Sequence, residues 1–127
     1  MSGVLVDTSV FIETERRSLQ ALERLDELMV EGIAVSVVTA VELLASPTLP
    51  LDRKRFYRRF LSGEVEVLPV SEGSAYAGVE AATRAGGGSA PDILIAGTAI
   101  EHGLKLVTFD AGLARLVGPS AELLRKS

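Results

Sequence analysis

Four acidic residues stand out by where they fall. Asp7 closes the apolar run Gly3-Val4-Leu5-Val6, and Glu42 lies in Thr39-Ala40-Val41-Glu42-Leu43-Leu44. Asp92 follows Pro91, and Asp110 follows Leu104-Lys105-Leu106-Val107-Thr108 closely. Each has an ordinary explanation. Asp7 and Asp110 suit helix N-caps. Thr39-x-x-Glu42 has the form of a capping box. Asp92 sits in a first helical turn, where the dipole favours a negative charge. Together they ask for more. If the four converge, each pair about 4 Å apart costs on the order of 4 kcal/mol at an effective dielectric of about 20. A cap returns only about 1 kcal/mol. Such a cluster must spread, take up protons, or bind a hard cation through its oxygens. One or two Mg²⁺ or Mn²⁺ ions would turn the charges into ligands.

The elements that would position these acids are legible in outline. Gly3 to Val6 reads as a buried parallel strand, and Val10-Phe11-Ile12 leads into a helix. From Ser18 to Glu31, Leu19, Leu22, Leu25, Leu28 and Met29 form one helical face, with Gly32 as the stop. Ile33 to Val37 reads as a second strand, followed by a helix starting near Thr39. Pro47 and Pro50 mark a break. Asp52 is expected to cap a helix running to Leu61, with Phe56 and Phe60 inward. Val65 to Leu68 reads as a third strand. Ser71 to Ala85 reads as an alanine-rich helix with Tyr76, Val79 and Ala82 on one stripe. Gly86-Gly87-Gly88-Ser89 is a loop, followed by a buried helix from Asp92 to Glu101 that ends at Gly103. Leu104 to Thr108 is a fourth strand, and Asp110 would cap Ala111 to Leu116. The tail from Gly118 reads as a short helix rather than a strand.

Strands alternating with helices predict an α/β fold of three layers, α/β/α, around a parallel sheet of four to five strands. In such sheets the site lies at the carboxyl ends of the strands. Asp7 and Asp110 fall just past such ends, and Glu42 and Asp92 are expected in first turns facing the same rim.

The 127 residues suit a single domain, spanning 1–127. An apolar share of 47% excludes a disordered chain. The absence of cysteine excludes disulfides and thiolate metal sites, and fits a reducing cytoplasm. No apolar run reaches the roughly 18 residues of a membrane span, and no signal peptide is expected. The net charge of −4 runs against nucleic-acid binding in general. Arg53, Lys54, Arg55, Arg58 and Arg59, however, crowd into one stretch that could meet phosphate, or could equally form the solvated face of a helix.

Four pieces in order carry a resemblance. They are Val4-Leu5-Val6-Asp7-Thr8-Ser9-Val10-Phe11-Ile12, Thr39-Ala40-Val41-Glu42-Leu43, Pro91-Asp92-Ile93-Leu94-Ile95-Ala96-Gly97-Thr98-Ala99 and Leu106-Val107-Thr108-Phe109-Asp110. The chain resembles the PIN-domain family, and within it the VapC-type ribonuclease toxins of toxin–antitoxin pairs. The resemblance spans nearly the whole chain. It implies a Mg²⁺- or Mn²⁺-dependent endoribonuclease with Asp7, Glu42, Asp92 and Asp110 at the metal. Thr8, Ser9 and Thr108 would orient those carboxylates or water. It implies an RNA substrate, a cognate antitoxin that would place an Arg or Lys in the acidic pocket, and a homodimer as a common state. Two departures stand out. Many relatives carry an acid where this chain has Gly112, which bears on a second metal ion. The tail also lacks a clear final strand.

Other chemistry fits less well. His102, the only histidine, sits by Gly103 at a helix end, so a histidine-pair ribonuclease is excluded. A receiver-like phosphoacceptor domain would need its Asp near mid-chain and a lysine at the end of a late strand. Here Lys105 begins its strand. A haloacid-dehalogenase-type phosphatase would need an acid at Ser9. A catalytically weak interaction module of the same fold remains the non-enzymatic alternative, and Gly112 supports it.

Overall fold

The computed structural model describes residues 3–126. Five strands form one sheet: β1 (Val4–Val6), β2 (Ala34–Ser36), β3 (Glu66–Leu68), β4 (Lys105–Thr108) and β5 (Ala121–Leu123). All neighbours are parallel, in the order β3-β2-β1-β4-β5. Seven helices connect them: α1 (Thr8–Glu15), α2 (Leu19–Glu31), α3 (Val37–Leu44), α4 (Leu51–Gly63), α5 (Glu72–Ala85), α6 (Ala90–His102) and α7 (Ala111–Val117).

Side chains of a strand alternate between faces, and here both faces are buried. Val6, Val35 and Val107 join Phe11, Leu28, Leu43, Tyr57 and Leu61 in one core, under the helices α1 to α4. Leu5, Ala34 and Leu106 join Ala82, Ile95, Ala99, Leu113 and Leu116 in the other, under α5 to α7. That is the expected three-layer α/β/α architecture.

The chain builds outward from β1 to β2 and β3, then returns to place β4 and β5 on the other side. The crevice between β1 and β4 is thus the point where the winding reverses, the usual place for a ligand in an open α/β sheet. Asp7 and Asp110 follow the two strands that bound it.

Several expectations are corrected. The tail is a strand rather than a helix. Leu106 N donates to Ser120 O, Leu124 N to Thr108 O, and Leu124 is buried. A strand of three residues is too short to show alternation, and tertiary pairing decides it. Glu122 on this strand also accepts both Arg24 Nε and Arg24 Nη2 at 2.8 Å and meets Lys105 Nζ at 2.6 Å, which fixes the sheet edge.

α3 starts earlier than expected. Ser36 is its N-cap, accepting from Val38 N, so Thr39 lies inside the helix and the capping box with Glu42 does not form. α4 has Pro50 at its N-cap with no side-chain cap, and Asp52 lies in the first turn. Its buried residues are Tyr57 and Leu61, whereas Phe60 is half-buried and Phe56 exposed. On α5 the inward stripe is Ser74, Gly78, Ala81 and Ala82, while Tyr76 and Val79 face out. The reason is the close crossing of α5 and α6. A Cβ at Gly97 would overlap the Ser74 carbonyl, and one at Gly78 would overlap the Ile93 carbonyl. Only small residues allow that approach, and it sets where the N-terminus of α6, with Asp92, meets the rim.

Candidate metal centre

Asp7 is the N-cap of α1 and only 4% exposed. Its Oδ2 accepts from Ser9 N at 3.3 Å, Ser9 Oγ at 2.6 Å and Thr108 Oγ1 at 2.8 Å. Each hydroxyl has one proton to give, and both give it to Asp7. Their lone pairs are used in turn. Phe109 N donates to Ser9 Oγ and Asp110 N to Thr108 Oγ1, both at 2.9 Å. This network ties the start of α1 to the end of β4 and holds the Asp7 carboxylate in one orientation. All three contacts fall on Oδ2. Among the described residues Oδ1 accepts no hydrogen bond.

Glu42, in the second turn of α3, accepts from Thr8 Oγ1 at 2.6 Å through Oε1. Thr8 Oγ1 also lies 2.9 Å from Thr39 Oγ1, and Thr39 is fully buried. Asp110 caps α7, its Oδ1 accepting from Leu113 N at 3.1 Å. Asp92 sits in the first turn of α6, whose N-cap is Ser89. The capping reading therefore holds for Asp7 and Asp110 and the first-turn reading for Asp92. These roles coexist with convergence, because a cap uses one carboxylate oxygen and leaves the other.

Convergence is visible in the electrostatics. The Asp92 carboxyl is held above its ordinary range, first by burial and then by the charges of Asp110, Asp7 and Glu42, with Ser89 opposing. Among the described residues no lysine or arginine pairs with any of the four. Nor do any three acidic groups there stand close enough to grip an ion as they are placed. The repulsion that raises the Asp92 pKa also opposes a closer approach. The donors still fit a hard cation. They are all oxygen, and Asp7, Glu42 and Asp110 each keep one carboxylate oxygen outside the hydrogen-bond network. Gly112 adjoins this site: a Cβ there would come within 3.2 Å of Asp110 Oδ1. An acid at that position would add a fifth carboxylate, which this chain lacks.

The basic run divides. Arg53 is taken by Glu15, through Nε at 2.9 Å and Nη2 at 2.8 Å, and stacks over Phe56 at 4.4 Å. Arg55, Arg58 and Arg59 are exposed on α4 and Lys54 is partly so. His102 lies at the end of α6, ten residues from Asp92 and so about 15 Å along the helix. It is exposed, with Nε2 3.6 Å from Glu101 Oε1. Thr39 and Ser36 were hidden from sequence reasoning by the capping-box pattern. Glu13 was also missed. It is 7% exposed, and its pairing with Arg16 was foreshadowed by their i,i+3 spacing.

Comparison with known proteins follows the same lines. The family model described as PIN domain matches residues 4–119. Among curated proteins no significant match was found. Similar solved structures include FitAcB from Neisseria gonorrhoeae, at 26% identity and TM-score 0.74, covering 93% of this chain and 95% of that one. DNA-bound VapBC from Salmonella typhimurium matches at 25% identity and TM-score 0.76, covering 96% and 98%. VapBC-5 from Mycobacterium tuberculosis, a member of the VapBC family of toxin–antitoxin systems, matches at 26% identity and TM-score 0.65, covering 97% and 98%.

Proposed function

Because the chain belongs to the PIN domain family, whose members are generally nucleases, we propose that it is a divalent-metal-dependent endoribonuclease and the toxin of a toxin–antitoxin pair. One observation carries this reading. Four carboxylates from distant parts of the chain share the rim at the winding reversal with no cationic partner, and three of them raise the pKa of the fourth.

Asp7, Glu42, Asp92 and Asp110 would hold Mg²⁺ or Mn²⁺. When bound, such an ion supplies charge neutralisation at the phosphoryl oxygens and acidifies water. Thr108 and Ser9 fix the rotamer of Asp7, so that Oδ1 is the oxygen offered. Thr8 does the same for Glu42 through Oε1. Asp110 is held by the α7 amide that it caps. Asp92, with the raised pKa, is the group that an arriving cation would most readily convert to full charge. Water attack in line on the phosphodiester leaves a 5′-phosphate and a 3′-hydroxyl.

The toxin role rests on the likeness to FitAcB and the VapBC structures, which are toxin–antitoxin complexes in the family sense their descriptions give. A partner that inserts an Arg or Lys among the four acids would supply the cation they lack and compete with metal. Pairing of two copies belongs to the same reading and is checked by sedimentation. No helix among the described residues is long and apolar enough to cross a membrane.

The test uses purified protein with end-labelled transfer and ribosomal RNA in Mg²⁺, Mn²⁺ or EDTA, alongside Asp7→Asn and Asp92→Asn. Expected are cleavage with either metal, none in EDTA, and near-complete loss in both variants. Cleavage that persists in EDTA, or at full rate in the variants, rejects the reading. An inactive parent that still captures a partner protein would favour the catalytically weak module.

A further inference from the structure

A cleft of about 400 Å³ opens beside the acidic site. Thr8, Ser9 and Asp110 form the wall it shares with the site, and Arg16 and Lys126 line it as well. Beneath the two cations lies the buried Glu13. A single oxygen, Glu13 Oε2, meets Arg16 Nη1 at 3.0 Å and Lys126 Nζ at 3.6 Å.

That arrangement does not balance as a purely structural ion pair. One buried negative charge faces two cations, leaving a net positive charge outward. Both cationic side chains are 66% exposed, so most of their donors remain open to a ligand. Glu13 restrains both side chains where they stand, which lowers the entropy lost when they grip a second anion. The position matters as much as the charge. Four uncompensated carboxylates repel a polyanion, and a strand reaching them needs a cationic foothold nearby. The clefts lined by Arg53 and Arg59 include none of the four acids. The cleft of Arg16 and Lys126 includes Asp110 and the two hydroxyl residues that orient Asp7 and Glu42.

We infer that this cleft is a phosphate subsite, in which Arg16 and Lys126, held by Glu13, take a backbone phosphate of the RNA next to the one being cleaved. The inference rests on the ribonuclease reading above. Arg16 and Lys126 are positioning residues: they set where the strand lies and make no contact with the reacting atoms.

The experiment measures the affinity of a fluorescein-labelled single-stranded RNA by anisotropy in EDTA across a salt series. Cleavage is measured in Mg²⁺ over a range of RNA concentrations. In Arg16→Gln/Lys126→Gln the slope of log Kd against log salt falls by roughly 1.4, two contacts at about 0.7 each. The Kd at low salt rises about tenfold. KM rises in step, while the rate at saturating RNA stays within about threefold of the parent. Arg16→Lys/Lys126→Arg keeps both charges and restores the parent slope. Arg84→Gln, which removes an exposed cation on α5, leaves the slope alone. A lost tie between tail and α1 would lower the melting temperature without touching the salt slope. An unchanged slope in the rim pair overturns the inference, and so does a loss of slope in Arg58→Gln/Arg59→Gln with none in the rim pair. A parent that neither binds nor cuts RNA is a different failure: it removes the ribonuclease reading, and the subsite with it.

Discussion

Two kinds of carboxylate neighbourhood occur in this molecule, and they are built in opposite ways. Glu15 and Glu122 each meet an arginine fork. The Arg53 guanidinium, bonded to Glu15 with help from the Tyr57 hydroxyl, holds the Glu15 carboxyl below its usual range. Arg24 and then Lys105 do the same for Glu122. These acids tie α1 to α4 and the β5 edge to α2. At the rim, Asp7, Glu42, Asp92 and Asp110 have hydroxyl and amide donors but no cation, and the Asp92 carboxyl is pushed up. The first arrangement is complete in itself. The second leaves charge unmatched at a defined place, which stability alone does not explain.

The sharpest way to break the contrast is to neutralise one rim acid. Asp7→Asn or Asp92→Asn should cut RNA cleavage on the order of a thousandfold, about 4 kcal/mol of barrier. Circular dichroism should show the fold retained. Asp7→Asn is the harsher test of folding, because its amide cannot accept all three donors that converge on Oδ2.

Next in size is the response to metal. Mg²⁺ at about 100 times its Kd should stabilise the parent by about 2.7 kcal/mol in urea unfolding. Asp92→Asn should respond far less, and Glu15→Gln as fully as the parent. Equal gains in all three would remove the distinction between the two neighbourhoods.

Glu15→Ala comes third. It strips the acceptor from the Tyr57 hydroxyl, whose residue is only 2% exposed, and frees Arg53. About 2 kcal/mol of stability should be lost, read by urea unfolding, with cleavage reduced much less than in the rim variants.

The smallest effect is in the pH dependence of stability in EDTA, where the two neighbourhoods should have opposite signs. The folded pKa of Asp92 lies above its ordinary 3.8, so the folded state keeps that proton longer. Its stabilising contribution is present at low pH and lost as pH rises through the folded pKa. Glu15 and Glu122 have folded pKa values below 4.5. Their contribution is present above 4.5 and lost as pH falls through the folded values. Asp92→Asn should flatten the slope above pH 3.8, and Glu15→Gln the slope below pH 4.5. Like signs in the two variants would contradict the contrast.

The fold was legible wherever a pattern was long enough to repeat. Leu19 to Met29 marked a helix face, and Val4 to Val6 and Leu106 to Val107 marked strands buried on both sides. Ala121–Leu123 was not legible, because three residues carry no period and only the amides and carbonyls of β4 make them a strand. The helix faces of α4 and α5 were misread for a related reason. Hydrophobicity pointed to Phe56, Tyr76 and Val79, but a backbone-to-backbone crossing at Gly78 and Gly97 admits only small side chains.

The identity of the four acids, and of the hydroxyl residues beside them, is written in local motifs, since a carboxylate after a short apolar run is a feature of the chain alone. Their electrostatic coupling is not. Glu42 reaches Thr8 across 34 positions and Thr108 reaches Asp7 across 101, separations that no window of sequence spans. The same holds for the two cations on Glu13, which lie in unrelated stretches until β5 carries the tail back to α1. Residue type and spacing settled which groups are available. Strand order and helix crossing decided which of them share a space, because charge acts through distance in three dimensions and is indifferent to distance along the chain.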